Sequence, residues 1–161
     1  MADLNIGDSA PDFTLPTNGN NEITLSALKG KNVIIYFYPK DDTPGCTKES
    51  CEFRDEYAGI QSLDAEIIGI SKDNVTSHEK FATKYDLTFP LGADIEGTAC
   101  EAYGVIAEKS MFGKKYMGIQ RATFLIDKDG RIAHIWPKVK VSGHVAEVKQ
   151  ALEELQKAQA A

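Results

Sequence analysis

The chain has 161 residues, of which 42% are hydrophobic and 26% charged, with a formal net charge of −6. This is the composition of one globular domain, 1–161, large enough to bury roughly 70% of its unfolded surface, and its negative charge without a basic, aromatic-interleaved patch argues against nucleic acid and against anionic membranes. Met1-Ala2-Asp3-Leu4-Asn5 shows no signal peptide, no apolar run is long enough to span a bilayer, and three uneven cysteines make no disulfide framework, so a cytoplasmic protein with thiols reduced at rest is expected.

Asp12-Phe13-Thr14-Leu15 and Ile23-Thr24-Leu25 alternate with the strand period, and Asn18-Gly19-Asn20-Asn21 joins them as an N-terminal β-hairpin. Ser26 to Gly30 reads as a helical turn with a serine cap and a glycine stop. Val33 to Tyr38 is a continuous run of β-branched and aromatic residues, the pattern of a strand buried on both faces, and Pro39 ends it because proline cannot donate to a sheet ladder. Thr43-Pro44 then reads as a helix start, a hydroxyl N-cap followed by proline at the first helical position. The helix runs to about Leu63, with Phe53, Tyr57 and Ile60 on one face.

A second buried strand spans Glu66 to Ser71, and Asn74 caps a helix from Val75 to Tyr85. Phe89 to Gly92 is a short extended piece and Gly97 to Tyr103 a short helix. Lys109 to Gln120 is polar, with Gly113 and Gly118, and is expected to be a mobile loop. Arg121 to Ile126 is a strand, Asp127 to Gly130 a turn, and Arg131 to Trp136 its hairpin partner, with Trp136-Pro137 packing in the core. An amphipathic helix from about His144 to Lys157 closes the chain. Strands alternating with helices, then a hairpin and a last helix, predict an α/β domain with a central mixed β-sheet flanked by helices.

The chemistry concentrates at Cys46, the third helical residue, just beyond the C-terminal end of the buried strand. Free N–H groups and the partial positive charge of a helix N-terminus favour thiolate, the reactive form of cysteine. A cysteine is ordinarily only about 3% ionised at pH 7, and making it mostly thiolate takes about 3 kcal/mol. A helix terminus supplies roughly 0.3–2 kcal/mol. A cation must supply the rest, more so because Asp41, Asp42 and Glu49 oppose the negative charge.

Pro39, Thr43 and Cys46 form a Pro-x-x-x-Thr-x-x-Cys pattern after a buried strand, which resembles the peroxiredoxin active-site motif. Arg121-Ala122-Thr123-Phe124-Leu125-Ile126 resembles that family's catalytic-arginine strand, and Gly7-Asp8-Ser9-Ala10-Pro11-Asp12-Phe13 its N-terminal signature. Tyr36-Phe37-Tyr38-Pro39-Lys40 and the Cys46-x4-Cys51 spacing are most similar to the bacterioferritin comigratory protein, or peroxiredoxin Q, branch. The resemblance implies a thioredoxin-like fold and reduction of hydrogen peroxide and organic hydroperoxides, with thioredoxin or a similar dithiol as reductant. The sequence has no Gly-x4-Gly-Lys-Ser/Thr phosphate loop and no Gly-x-Gly-x-x-Gly dinucleotide fingerprint, so no bound organic cofactor is expected.

On that reading Cys46 attacks peroxide and becomes a sulfenic acid. Arg121 is the missing cation, Thr43 and the N–H groups of Gly45 and Cys46 hold the peroxide, Pro39 shields the site, and Glu49 orients Arg121. Cys51 is the candidate resolving thiol. In an intact helix residues five apart have Cα atoms roughly 8–9 Å apart, whereas a disulfide wants less than about 7 Å. A Cys46–Cys51 bond therefore requires the first turns to unwind, and a helix in the reduced protein is expected to be partly lost on oxidation. An intramolecular resolver removes the need for a partner subunit, so a monomer is expected.

Plainer readings stand beside these. Cys51 can be a spectator, Cys100 a core residue or an alternative resolver, Thr43 only a cap, and Arg121 the partner of a surface acid. His78, His134 and His144 share no metal-ligand spacing with the cysteines. A general thiol–disulfide oxidoreductase would carry Cys-x-x-Cys, and a holdase or interaction protein would use the fold without turnover.

Overall fold

The computed structural model describes residues 4–160; Met1 to Asp3, in the stretch read for a signal peptide, and Ala161, the end of the expected domain, lie outside the described residues. Seven strands form one sheet in the order β2 (Asn21–Thr24), β1 (Thr14–Thr17), β5 (Leu91–Ala93), β4 (Ala65–Ser71), β3 (Asn32–Phe37), β8 (Ala122–Ile126) and β9 (Ile132–Trp136). Inside the sheet, β3 has β4, the middle strand, parallel on one side and β8 antiparallel on the other. β5 (Leu91–Ala93) extends the parallel part, and β9 (Ile132–Trp136) closes one edge. All of β3 is buried, as its unbroken apolar run requires.

The period of two along β3 divides the core. Ile34, Tyr36 and Tyr38 pack with Phe53 of α1 (Pro44–Ser62), Phe81 of α2 (Val75–Tyr85) and Val148 of α4 (His144–Ala160). Val33, Ile35 and Phe37 pack on the other face with Phe124, Tyr103 and Cys100, the last on α3 (Thr98–Ala102). Gly69 lies opposite Tyr36 in the β3–β4 register, and a Cβ there would come within 2.7 Å of the tyrosine ring. Only glycine leaves room for that ring, which stacks on Phe53 at 4.8 Å.

Three expectations are corrected. The N-terminal hairpin exists, but β1 (Thr14–Thr17) and β2 (Asn21–Thr24) are shifted toward the turn; β1 pairs with β5 at Thr17 alone, which tolerates Pro16. The stretch expected as a mobile loop is instead a second hairpin, β6 (Ile106–Met111) and β7 (Lys114–Ile119), forming a separate two-stranded sheet. Its turn residues Phe112 and Gly113 both have positive φ (51° and 77°), the handedness that matches strand twist. A phenylalanine in that role gives no sequence signal. Finally, Pro137 is exposed, and only Trp136 of the pair packs against the core.

Candidate active site

The site starts where β3 ends. Tyr38 is fully buried, and the turn after it is tied down by Asp41, whose carboxylate points inward. It accepts from Tyr38 Oη at 2.6 Å and Ser77 Oγ at 2.8 Å, and meets His78 Nδ1 at 2.7 Å. The Asp41 N–H donates to Asp73 Oδ2 at 2.8 Å, and the other nitrogen of His78 reaches the Gly92 carbonyl at 3.0 Å. Asp42 takes the left-handed conformation (φ 57°) and turns its carboxylate outward to Lys84 and Tyr85, at 2.8 and 2.7 Å. Both aspartates, read from sequence as opposing a thiolate, thus have other partners. The half-buried Pro39 begins this turn.

Thr43 occupies the N-cap position in extended conformation, with Pro44 first in the helix. Its hydroxyl does not cap: it donates to the Lys40 carbonyl at 2.8 Å, correcting the capping expectation and leaving its lone pairs to accept from a ligand. The first helical bond runs from Thr47 N–H to the Thr43 carbonyl, so the N–H groups of Gly45 and Cys46 precede it.

Cys46 is buried, with 1% of its surface exposed. Arg121, immediately before β8, lies across the helix start and forks: Nη2 donates to Cys46 Sγ at 3.3 Å and Nη1 to Glu49 Oε1 at 2.8 Å. The β3–β8 register (Phe37↔Ala122) places this arginine beside the end of the strand that delivers Cys46. Burial works against the guanidinium charge, but Glu49 and Cys46 outweigh it and raise the Arg121 pKa. Gly45 makes room: a Cβ there would sit 3.1 Å from Arg121 Nη2. The fork is one that arginine provides and lysine does not.

Glu49 is completely buried. Burial pushes its pKa up, Arg121 pulls it down, Glu52 adds to the rise, and it settles at about 7. Two further residues, Thr123 and His144, close this side; the Thr123 hydroxyl meets His144 Nε2 at 2.8 Å. The Thr123–His144 and Asp41–His78 pairings carry no sequence signal: Thr123 and Asp41 lie within stretches read as motifs, but their partners are 21 and 37 residues away and only the fold brings them together.

Cys51 follows on the same intact helix, half-buried, 3.7 Å from Arg54 Nη1; burial raises its pKa, with Arg54 opposing and Asp55 adding. Cys100 is fully buried in the opposite core, its thiol pKa pushed up by burial and by Asp94, whose carboxylate accepts from the Cys100 N–H at 2.8 Å. All three cysteines are free.

A family model described as the AhpC/TSA family matches residues 6–135. The chain belongs to the AhpC/TSA family. It is a peroxiredoxin, an enzyme of the thiol peroxidase class. Among relatives of this family, a Bacillus subtilis protein named peroxiredoxin Bcp is 49% identical over 152 residues, 94% of this chain and 97% of that one. A cysteine-to-serine mutant of peroxiredoxin Q from Xylella fastidiosa has a TM-score of 0.89 at 39% identity, covering 100% of both chains. A structure of the Xanthomonas campestris bacterioferritin comigratory protein, concerned with its alkyl peroxide reduction activity, has a TM-score of 0.86 at 41% identity, covering 89% of this chain and 92% of that one. These AhpC/TSA neighbours carry the thioredoxin-like fold, which this chain shares.

Proposed function

We propose that this peroxiredoxin reduces hydrogen peroxide and organic hydroperoxides at Cys46. The observation that carries the reading is the fork of Arg121, one nitrogen 3.3 Å from the sulfur and the other on the buried Glu49. The thiolate attacks the terminal peroxide oxygen, the S–O bond forms as the O–O bond breaks, Cys46 becomes a sulfenic acid, and the departing alkoxide or hydroxide takes a proton from solvent to leave as alcohol or water. Arg121 holds the oxygens as charge moves between them, while the Gly45 and Cys46 N–H groups donate to the same region and the Thr43 oxygen accepts a hydrogen bond from the peroxide O–H, which stays on the oxygen transferred to sulfur. Pro39 shields the sulfur from bulk solvent.

Cys51 then attacks the sulfenic sulfur, forming a disulfide and releasing water. The reduced chain keeps α1 unbroken through both cysteines, so this step opens the first turns of the helix. A dithiol reductant of the thioredoxin kind restores both thiols. The monomeric state and a cytoplasmic setting are part of the same proposal: the resolver lies on the same helix, and among the described residues no helix is long and apolar enough to cross a membrane.

Mass mapping after one equivalent of peroxide tests this. A Cys46–Cys51 bond is expected, with Cys46→Ser inert and Cys51→Ser oxidised once but not recycled by thioredoxin. A bond from Cys46 to Cys100, or full turnover by Cys51→Ser, would overturn the assignment of the resolving thiol.

A further inference from the structure

The bonding of Glu49 is lopsided. Oε1 is held by Arg121, whereas Oε2 is buried and has no hydrogen-bond partner among the described residues. Facing Oε2 is His144 Nε2, 4.0 Å away, at the start of α4. That nitrogen is also held by Thr123 Oγ1 at 2.8 Å, from β8. All three side chains are at least 97% buried. Phe53 and Trp136 enclose the imidazole edge-on, with ring centroids 6.3 and 5.6 Å away. Three elements thus bring a carboxyl, an imidazole and a hydroxyl together behind Arg121, and peroxide chemistry at the sulfur does not require the last two.

A buried acceptor without a donor is unfavourable, and a proton on Oε2 removes the problem by turning it into a donor aimed at a neutral imidazole nitrogen. Burial favours that arrangement at both ends: it raises Glu49 to about 7 and lowers His144 to about 4, with Arg121 also opposing a charged imidazole. The other charges facing the cluster are Glu52 on α1, which favours the proton on Glu49, and Cys46 beside Arg121. Lys109 of β6 is coupled to both Arg121 and Cys46, and Tyr36 of β3 to Glu49.

We propose that Glu49, His144 and Thr123 form a proton-holding relay behind the Arg121–Cys46 pair, in which His144 and Thr123 are positioning residues that act on the sulfur only through Glu49 and Arg121. With the carboxyl ionised, the Thr123 hydroxyl donates to His144 Nε2 and Arg121 divides its charge between two anions. With the carboxyl protonated, its O–H turns to Nε2, and Arg121 faces the thiolate as its only anion. The proton comes from and returns to solvent, and no electrons move. The role assigned to Cys46 here rests on the peroxidase reading above.

Trp136 is the chain's only tryptophan and touches His144 edge-on, but the ring of His134 lies closer to it, at 4.1 Å, so the fluorescence reports the relay in a His134→Phe background, in which every titration below is made. A fluorescence titration of the reduced protein is expected to show a one-proton step near neutral pH, repeated in the pH profile of Cys46 oxidation and absent in Glu49→Gln. Thr123→Val frees Nε2 to accept from Glu49 and moves the step up by at least half a pH unit. His144→Gln offers an amide donor to Oε2 and moves it down by at least as much. These opposite shifts in two conservative variants separate a relay from mere packing, and either variant alone suffices if the other fails to fold. A step that survives in Glu49→Gln, or that stays in place in the variants that fold, overturns the relay. If Cys46 proves unreactive toward hydroperoxides, the peroxidase reading falls, while the fluorescence titration still decides the relay.

Discussion

Arg121→Met removes the positive end of the fork while keeping most of the side chain's length. At the observed 3.3 Å, Arg121 and a thiolate attract by about 5 kcal/mol in an effective dielectric of about 20 and by about 1.3 kcal/mol in bulk water. The arginine side chain is 15% exposed, so the effect lies between these limits, and the rate of Cys46 oxidation is expected to fall by roughly 10- to 5,000-fold. The variant also strips Glu49 of its partner, and breaking a buried pair costs about 3–5 kcal/mol of stability. Because Arg121 holds the carboxyl pKa down, its loss lets Glu49 take a proton and recover part of that cost. The double variant Arg121→Met/Glu49→Gln should therefore regain stability without regaining rate. Arg121→Lys should recover only part of the rate, since one ammonium cannot reach both Cys46 and Glu49 as the fork does. Stopped-flow oxidation by hydrogen peroxide, thiolate absorbance and urea unfolding measure these quantities separately. An Arg121→Met protein that reacts within a factor of about three of the parent would refute the reasoning, because the Coulomb estimate sets a floor of about tenfold.

Gly45→Ala should separate rate from stability in another way. Its Cβ would fall 3.1 Å from Arg121 Nη2 and push the guanidinium off the sulfur by a few tenths of an ångström. Oxidation of Cys46 should slow severalfold while the melting temperature holds, alanine being the better helix former by up to about 1 kcal/mol; an unchanged rate would mean that the guanidinium moves aside without consequence. Stability against pH offers a second check. Above the usual carboxyl value of 4.5 the unfolded Glu49 loses a proton that the folded one keeps up to about 7, so its contribution to stability falls as pH rises through that window. Below the usual imidazole value of 6.5 the unfolded His144 gains a proton that the folded one refuses down to about 4, so its contribution rises with pH from 4 to 6.5. The two trends oppose each other, each amounting to about 3 kcal/mol. Glu49→Gln should leave the histidine trend alone, so its stability measured by denaturant should climb from pH 4 to 6.5 relative to the parent; parallel curves would contradict the opposed pair.

The local signals in this chain are strong where one stretch of backbone carries the whole instruction. The apolar run Val33 to Tyr38, Pro39 and Pro44 locate a buried strand, its end and the start of a helix, and the structure places them there within a residue. Asn74 caps α2 as its side chain predicts, accepting from Ser77 N–H at 2.8 Å. Cys46 in a first helical turn follows from the same stretch, and its need for a cation points to a distant arginine. The Phe112-Gly113 turn shows the limit, since a phenylalanine held at positive φ by the pairing of β6 and β7 has no signature in composition.

The strand–turn–helix that presents Cys46 is thus written in the local order of residues, because hydrophobic period, proline and helix-start chemistry act over a few neighbouring positions. The cysteine's surroundings come from the assembled fold. Sheet order puts Arg121 beside Cys46 across 75 residues of chain, α4 sets His144 against Glu49, and burial turns an ordinary carboxyl into one poised near neutrality. Electric charge and desolvation act through space, and the positions they depend on exist only once the sheet has brought distant segments together.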